Sequence, residues 1–449
     1  MRNQDFRLKI DKIQLKNFRG LDDIEIAFDE RLTILIGDNG SGKTTILDAI
    51  AGCLRYLVHQ IRKLPLEEPF SKSDISIGMD DLDIALHFKD RLEPFTLTAN
   101  YTKNKSTTGY NSEGIVEDRI SEDETQFWTL ERYLTELYEQ EDRNLPVIAY
   151  YPARYAALTS DKAVSDDILY RFTTYEHALD KEVMNFRTLK KWLVNQSNLE
   201  IYGENEDDIR IVQTIKEALV GKKGILNDED NQRFTDFRVS FKGTNGADGN
   251  FLFTKQDKKI YDYQLSSGER MLMLLVADLA RRVALANPFS KMPLEEATGI
   301  VLLDEIDLHL HPHWQRKVLL KLMRLFSNIQ FVIVTHSPFV IASTHPKNIR
   351  ILVEDTVNHK KICLNAQHEA KHTKGLEPNR ILKEIMGAPL RDFETQEKMN
   401  RLNNLLKTDY NSPLANQLLA ELTDDLGKSD PFIMRVQQET LMLRRKKTI

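Results

Sequence analysis

Apolar and polar residues alternate in two runs near the start of the chain, Leu8-Ile10-Ile13-Leu15 and Ile24-Ile26-Phe28. Period-two spacing predicts two half-buried strands, and Arg19-Gly20 between them predicts the turn of an antiparallel pair. Leu32, Ile34, Leu35 and Ile36 then form a nearly unbroken apolar run, the pattern of a strand covered on both faces. Ile46, Leu47, Ala49 and Ile50 switch the spacing to three and four, which predicts a helix over residues 45–60.

Farther along, Ile84-Leu86-Phe88 and Phe95-Leu97 are strand-like and are joined by polar stretches. Leu130, Tyr133, Leu134 and Leu137 predict the apolar face of a charged helix, and Val147 to Tyr150 a short buried strand. Residues 165–225 read as largely helical, with Phe186, Leu189, Trp192 and Leu193 at helical spacing, and residues 233–264 as strands. A long helix over 268–286, an apolar strand at Ile300-Val301-Leu302-Leu303, a helix after Pro312 and a second apolar strand at Phe331-Val332-Ile333-Val334 follow. Apolar runs alternating with helices predict an α/β fold. Residues 376–449 read as short helices ending in Arg444-Arg445-Lys446-Lys447.

Between the third predicted strand and the first helix the chain reads GDNGSGKTT, Gly37 to Thr45. A glycine-rich turn in that frame lets backbone N–H groups point at phosphate oxygens, and the helix behind it adds the positive end of its dipole. Asn39, Gly40, Ser41, Gly42, Lys43, Thr44 and Thr45 are therefore the expected phosphate cradle. Lys43 supplies a point charge to the terminal phosphates and the Thr44 hydroxyl is placed to ligate Mg²⁺. The ligand class is a nucleoside triphosphate.

Three further segments bear on the same chemistry. Asp304 and Glu305 close the 300–303 strand, where a carboxylate holds the Mg²⁺ shell and its neighbour is placed to polarise a water. Leu265-Ser-Ser-Gly-Glu269 opens a helix, so Ser266 and the N–H groups around Gly268 form a second candidate anion site. His336, at the end of the 331–334 strand, is a candidate hydrogen-bond partner of the γ-phosphate or the water. His309, His311 and His313 alternate and invite a zinc reading, but Pro312 is suited to the first turn of a helix and breaks the alternation.

Composition changes this picture little. Of 449 residues 41% are hydrophobic, enough for a sizeable core, and 62 basic against 68 acidic side chains leave a net charge of −6, which neither demands nor excludes nucleic acid. Two distant cysteines, Cys53 and Cys363, argue against a disulfide framework and for a reducing, cytoplasmic setting. No run approaches the roughly 18 apolar residues a membrane span needs.

Phosphate loop, Ser-Gly segment, Asp-Glu strand end and His336, in that order, resemble the ABC-type ATPases of the RecF/SMC group, as does Asn17-Phe18-Arg19-Gly20. The resemblance covers residues 6–56 and 230–345. It implies an ABC/SMC-like head with catalytic Lys43, Glu305 and His336, ATP and Mg²⁺ as ligands, and Thr44 and Asp304 at the metal. It also implies that the phosphate loop of one copy faces Ser266 and Gly268 of another, hence a homodimer or higher oligomer. The expected organisation is an N-terminal lobe over 1–60, an inserted strand and helical region over 61–230, a C-terminal lobe over 231–350 and a helical assembly or partner region over 351–449.

Asp304 to Trp314 (DEIDLHLHPHW), Ile329-Gln330-Phe331 and Ala149-Tyr150-Tyr151-Pro152-Ala153-Arg154 narrow the resemblance to the PtuA-type ATPase subunits of Septu anti-phage systems. That implies a partner HNH nuclease of the PtuB kind. A RecF-like repair ATPase acting directly on DNA stays open as the alternative, and a single-chain nuclease with a Toprim domain is disfavoured because no strand followed by Asp-x-Asp appears after His336. Two departures from the group's pattern bear on hydrolysis. Leu310-His311 stands where the group has Leu-Asp, leaving Asp307 as a substitute, and no Mg²⁺-sensing glutamine is evident among Gln60, Gln126 and Gln140.

Overall fold

The computed structural model describes residues 8–64, 69–89, 95–102, 144–153, 170–180, 189–190, 192–194, 206–227, 233–240, 250–355, 360–369, 371–408 and 412–447. They fall into two compact units, Met1–Pro378 and Asn379–Ile449. The helix predicted around Leu130 to Leu137, Phe186, Gln126, Gln140 and Arg154 lie outside the described residues.

In the first unit β1 (Lys9–Phe18) returns as β2 (Leu21–Ala27), antiparallel, with Phe18 opposite Leu21. Arg19 and Gly20 make the turn at φ 47° and 80°, the left-handed pair that a two-residue hairpin requires. β4 (Asp81–Lys89) and β5 (Phe95–Thr102) extend this to a four-stranded sheet of order β2-β1-β4-β5. β3 (Leu32–Gly37) leaves the hairpin for a six-stranded sheet with β6 (Val147–Tyr151), β10 (Thr298–Asp304), β11 (Asn328–Val334), β12 (Ile349–Glu354) and β13 (Lys361–Asn365). The order is β13-β12-β3-β11-β10-β6, parallel except for the antiparallel edge strand β13. β7 (Phe234–Ser240), β8 (Asn250–Lys255) and β9 (Lys258–Tyr261) form a small antiparallel sheet ahead of the Ser266 segment.

The apolar runs at β3, β10 and β11 are buried along their lengths, as the continuous pattern predicts for parallel strands. Gln330 interrupts the β11 run and is fully buried. Its Oε1 accepts from the Ile10 amide at 2.7 Å, and its Nε2 donates to the carbonyls of Ile10 at 2.8 Å and Asp29 at 2.9 Å. The amide satisfies backbone groups that the packing of β1 against the central sheet removes from water.

α1 (Lys43–Arg62) and α3 (Ser267–Ala286) lie on opposite faces of the central sheet, with α2 (Glu206–Val220) packed beside α3. β6 shows the arrangement directly, because successive strand residues point to opposite faces. The Tyr150 hydroxyl reaches Asp48 of α1 at 3.4 Å, and the Tyr151 hydroxyl donates to Asp278 of α3 at 2.8 Å. α3 is buried almost throughout and carries a charged cluster into the interior: Asp278 accepts from Arg281 at 3.0 Å and from Arg282 at 2.8 Å. Burial pushes the Asp278 carboxyl up, but Arg282 and Arg281 outweigh it and hold the group down at about 2.

The helical region expected from residue 351 begins later. β12 and β13 are strands of the central sheet, because Ile349, Ile351 and Leu352 bury against β3, and the compact unit ends at Pro378. In the second unit α4 (Phe393–Thr408), α5 (Pro413–Leu426) and α6 (Pro431–Lys447) close around Leu402, Leu418, Leu422, Ile433 and Val436. No helix among the described residues is long and apolar enough to cross a membrane.

Candidate nucleotide site

The phosphate loop leaves the carboxyl end of β3, a central strand, and enters α1 at Lys43. Two of its glycines are obligatory. Gly37 has φ 151°, and a Cβ there would stand 2.4 Å from the Leu352 carbonyl oxygen of β12. Gly42 caps α1 at φ 99°, where a Cβ would meet Leu21 Cδ2 at 2.8 Å. The loop thus takes a shape that side chains at these points would forbid.

Lys43 is buried and its Nζ donates to the carbonyls of Gly37 at 2.9 Å and Asp38 at 2.7 Å, and to Ser41 Oγ at 3.3 Å. Its ammonium is held across the mouth of the loop. Burial lowers its pKa, while Asp304, Asp38 and Glu305 pull the other way. Lys361 of β13 also reaches the loop, donating to the Gly40 carbonyl at 2.9 Å.

Asp304 ends β10, and its Oδ2 accepts from the Thr44 hydroxyl at 3.0 Å. The residue is buried, and its Oδ1 has no hydrogen-bond partner among the described residues. Burial, with Glu305 and Asp48 as negative neighbours, raises its carboxyl to about 6 despite the Thr44 bond. A desolvated carboxylate oxygen beside a threonine hydroxyl is a ligand set suited to a hard cation such as Mg²⁺. No group of three or more His, Cys, Asp or Glu side chains among the described residues is arranged to hold a metal, which leaves the alternating histidines without a zinc site. His311 instead caps the short helix Pro312–Gln315, its Nδ1 accepting from the His313 amide at 3.3 Å.

Glu305 follows in a left-handed conformation, φ 52°, with its N–H bonded to the Val334 carbonyl at 3.0 Å. A non-glycine residue at positive φ is strained, and here the strain turns the chain off the strand directly beside Asp304. β10 and β11 run parallel in register, Asp304 opposite Val334, which brings His336 to the same sheet edge. Burial lowers the His336 pKa, as does Lys43, while Glu305, Asp307 and Asp38 oppose them. His336 and Lys43 thus share Glu305 and Asp38 as charged neighbours. Lys43, Thr44, Asp304, Glu305 and His336 form one constellation, although 293 positions separate Lys43 from His336.

Ser266 and Gly268 make no hydrogen bond to these residues among the described residues, and Gly268 packs against His309 and Leu310. Ser266 is the N-cap of α3, accepting from the Glu269 amide at 3.3 Å, and its hydroxyl donates to Glu269 Oε2 at 2.9 Å. Lys255 fixes the other carboxylate oxygen of Glu269 at 2.6 Å. Gly268 is required because a Cβ would stand 2.9 Å from the His309 carbonyl. Asp307, the expected substitute, accepts from the Thr335 hydroxyl through one carboxylate oxygen within the chain. Gln60 lies in the last turn of α1, donating to the Tyr56 hydroxyl at 3.0 Å. It is about 24 Å along the helix from Thr44.

Sequence reasoning missed Asp48, Tyr150 and Lys361. Asp48 lies four residues after Thr44, hence on the same face of α1, so helical spacing could have found it. Arg19, at the hairpin turn, joins it at 2.6 Å and also bonds Asp74 at 2.6 Å. Lys361 carries no signal in the sequence, since only the β12–β13 pairing brings it to the loop.

Known proteins share this chain's pattern. Over 400 residues it is 28% identical to a retron Vc95 probable ATPase of Vibrio cholerae serotype O1 biovar El Tor, covering 78% of this chain and 74% of that one. It is also 28% identical to the retron Ec83 probable ATPase of Escherichia coli, covering 96% and 86%. Identity to the Septu protein PtuA of Bacillus thuringiensis is 21%, covering 85% and 84%. A family described as an AAA domain matches residues 12–210. A second, described as "AAA domain, putative AbiEii toxin, Type IV TA system", matches residues 112–342, just over half of the chain. The chain belongs to this AAA-domain family and is a P-loop ATPase of the ABC and RecF-like kind, related to the retron and Septu ATPases.

Proposed function

We propose that this chain is the ATPase subunit of an anti-phage defence complex, in which two copies close around ATP and the closed assembly holds and regulates a partner HNH nuclease. The observation that carries the nucleotide chemistry is the pairing of Thr44 with Asp304, whose second oxygen is buried without a partner among the described residues, beside Lys43, Glu305 and His336. Asn39 to Thr45 cradle the phosphates through backbone N–H groups, and Lys43 turns its ammonium from the loop carbonyls toward the β- and γ-phosphates. Thr44 and Asp304 would hold Mg²⁺, which would supply charge neutralisation at the terminal phosphates. Glu305 orients the attacking water and accepts its proton, and neutral His336 hydrogen-bonds the γ-phosphate.

Ser266 and Gly268 belong to the phosphate site of the second copy. Support for this comes from the exposed N-cap position of Ser266, whose hydroxyl is bonded to Glu269 rather than to the phosphate loop. A helix start aimed outward offers its dipole and free N–H groups to an anion brought by a partner.

The test is light scattering of the Glu305→Gln chain with and without Mg·ATP, followed by co-purification with the product of the adjacent gene and a DNA-cleavage assay. Association that requires ATP and is lost in Ser266→Arg supports the reading. A chain that stays single at saturating ATP refutes the two-copy arrangement. DNA binding and repair-type activity without any nuclease partner favours the RecF-like alternative.

A further inference from the structure

Three residues before Ser266 the chain presents an aromatic platform. Tyr263 is 59% exposed, and its ring lies on that of Tyr261, centroids 5.4 Å apart and planes 13° apart. The short turn that carries it, Asp262–Gln264, is anchored on both sides. Buried Asp262 accepts from the Phe251 amide at 3.0 Å, and its carbonyl accepts from Arg270 of α3 at 3.2 Å. Gln264 Oε1 accepts from the Tyr261 amide at 2.8 Å. One ring face is covered by Tyr261, and the backbone beneath cannot easily move. Tyr263, Gln264, Ser266 and Ser267 are exposed, while Leu265 and Gly268 are buried, so both the platform and Ser266 are open to solvent.

A large, rigid aromatic surface with an open face is a stacking site for another planar ring. Its place on the chain selects the ring. Three residues span at most about 11 Å, so the Cα atoms of Tyr263 and Ser266 lie within that distance and the ring extends from there by the length of its side chain. The ribose and phosphates that separate a γ-phosphate from its base are of comparable length. A triphosphate whose terminal phosphate meets Ser266 can therefore lay its base over Tyr263.

We propose that Tyr263 is the base-stacking, specificity-determining residue for the ATP held by a second copy of this chain. The inference rests on the two-copy reading above. The phosphate loop reads only phosphates, so the purine ring is recognised by the partner's tyrosine, and closure senses the whole nucleotide.

The experiment follows ATP-driven association of the full-length Glu305→Gln chain by light scattering, alone and with Tyr263→Ala or Tyr263→Phe added. Tyr263→Ala is expected to raise the ATP concentration for half-association by about 5- to 150-fold, the range of one lost base–aromatic stack. Tyr263→Phe keeps the parent's value, and ATP binding by single chains at low protein concentration is the same in all three. An alanine variant that associates at the parent's ATP concentration overturns the proposal, as does a phenylalanine variant as weak as alanine. If the alanine change leaves the ATP response intact but weakens binding of a single-stranded oligonucleotide, the platform serves nucleic acid instead. Failure of the parent chain to associate at all removes the two-copy reading, a result distinct from failure of Tyr263 alone.

Discussion

Replacing Asp304 by asparagine is expected to stabilise the metal-free protein while abolishing ATP hydrolysis. The carboxyl is buried at the end of β10, one oxygen holding Thr44 and the other without a partner among the described residues, and burial pushes it up to about 6, above the usual carboxylate range. The unfolded chain releases this proton about 2 pH units earlier, near pH 4. Between those values the folded state binds more protons than the unfolded one, so stability falls as pH rises, and the loss is complete above about pH 6. At about 1.4 kcal/mol per pH unit, the ionised carboxylate costs about 3 kcal/mol at neutral pH. Asparagine keeps an acceptor for Thr44 and removes that charge. Urea unfolding in EDTA should show Asp304→Asn more stable by about 2–3 kcal/mol at pH 7.5, with the gap closing toward pH 4. Equal or lower stability at pH 7.5, or a difference independent of pH, refutes the assignment of Asp304 as a desolvated carboxylate held ready for a cation.

Two other perturbations test the frame around the site. Gly42→Ala places a β-carbon at φ 99° and 2.8 Å from Leu21 Cδ2. It should cost about 1–3 kcal/mol in equilibrium unfolding and weaken ATP binding measured by calorimetry. Asp278→Asn removes the carboxylate that Arg281 and Arg282 pair with in the interior and should destabilise by about 3–5 kcal/mol in the same unfolding assay. Because the native Asp278 carboxyl is held at about 2, its stabilisation is complete above the ordinary carboxylate range and disappears as pH falls through about 2. The wild-type advantage over Asp278→Asn should therefore shrink only in strong acid.

The sequence by itself determined the local chemistry. Gly37, Gly42, Lys43 and Thr44 lie in one short stretch between a strand and a helix, so the phosphate loop was legible as a string, although the contacts that make Gly37 and Gly42 obligatory come from Leu352 and Leu21 in other strands. The continuous apolar runs of β3, β10 and β11 likewise announced strands buried on both faces, and their ends located Asp304, Glu305 and His336. Only the tertiary structure decided the order β3-β11-β10, which makes those strand ends one site. It also decided that β12 and β13 belong to the central sheet, that Lys361 reaches Gly40, and that Asp307 is already bonded to Thr335. The physical reason is range. Backbone conformation and hydrophobic period act over a few residues, whereas strand pairing joins segments hundreds of positions apart, and burial, which moves the pKa of Asp304 and Lys43, exists only once those segments have met.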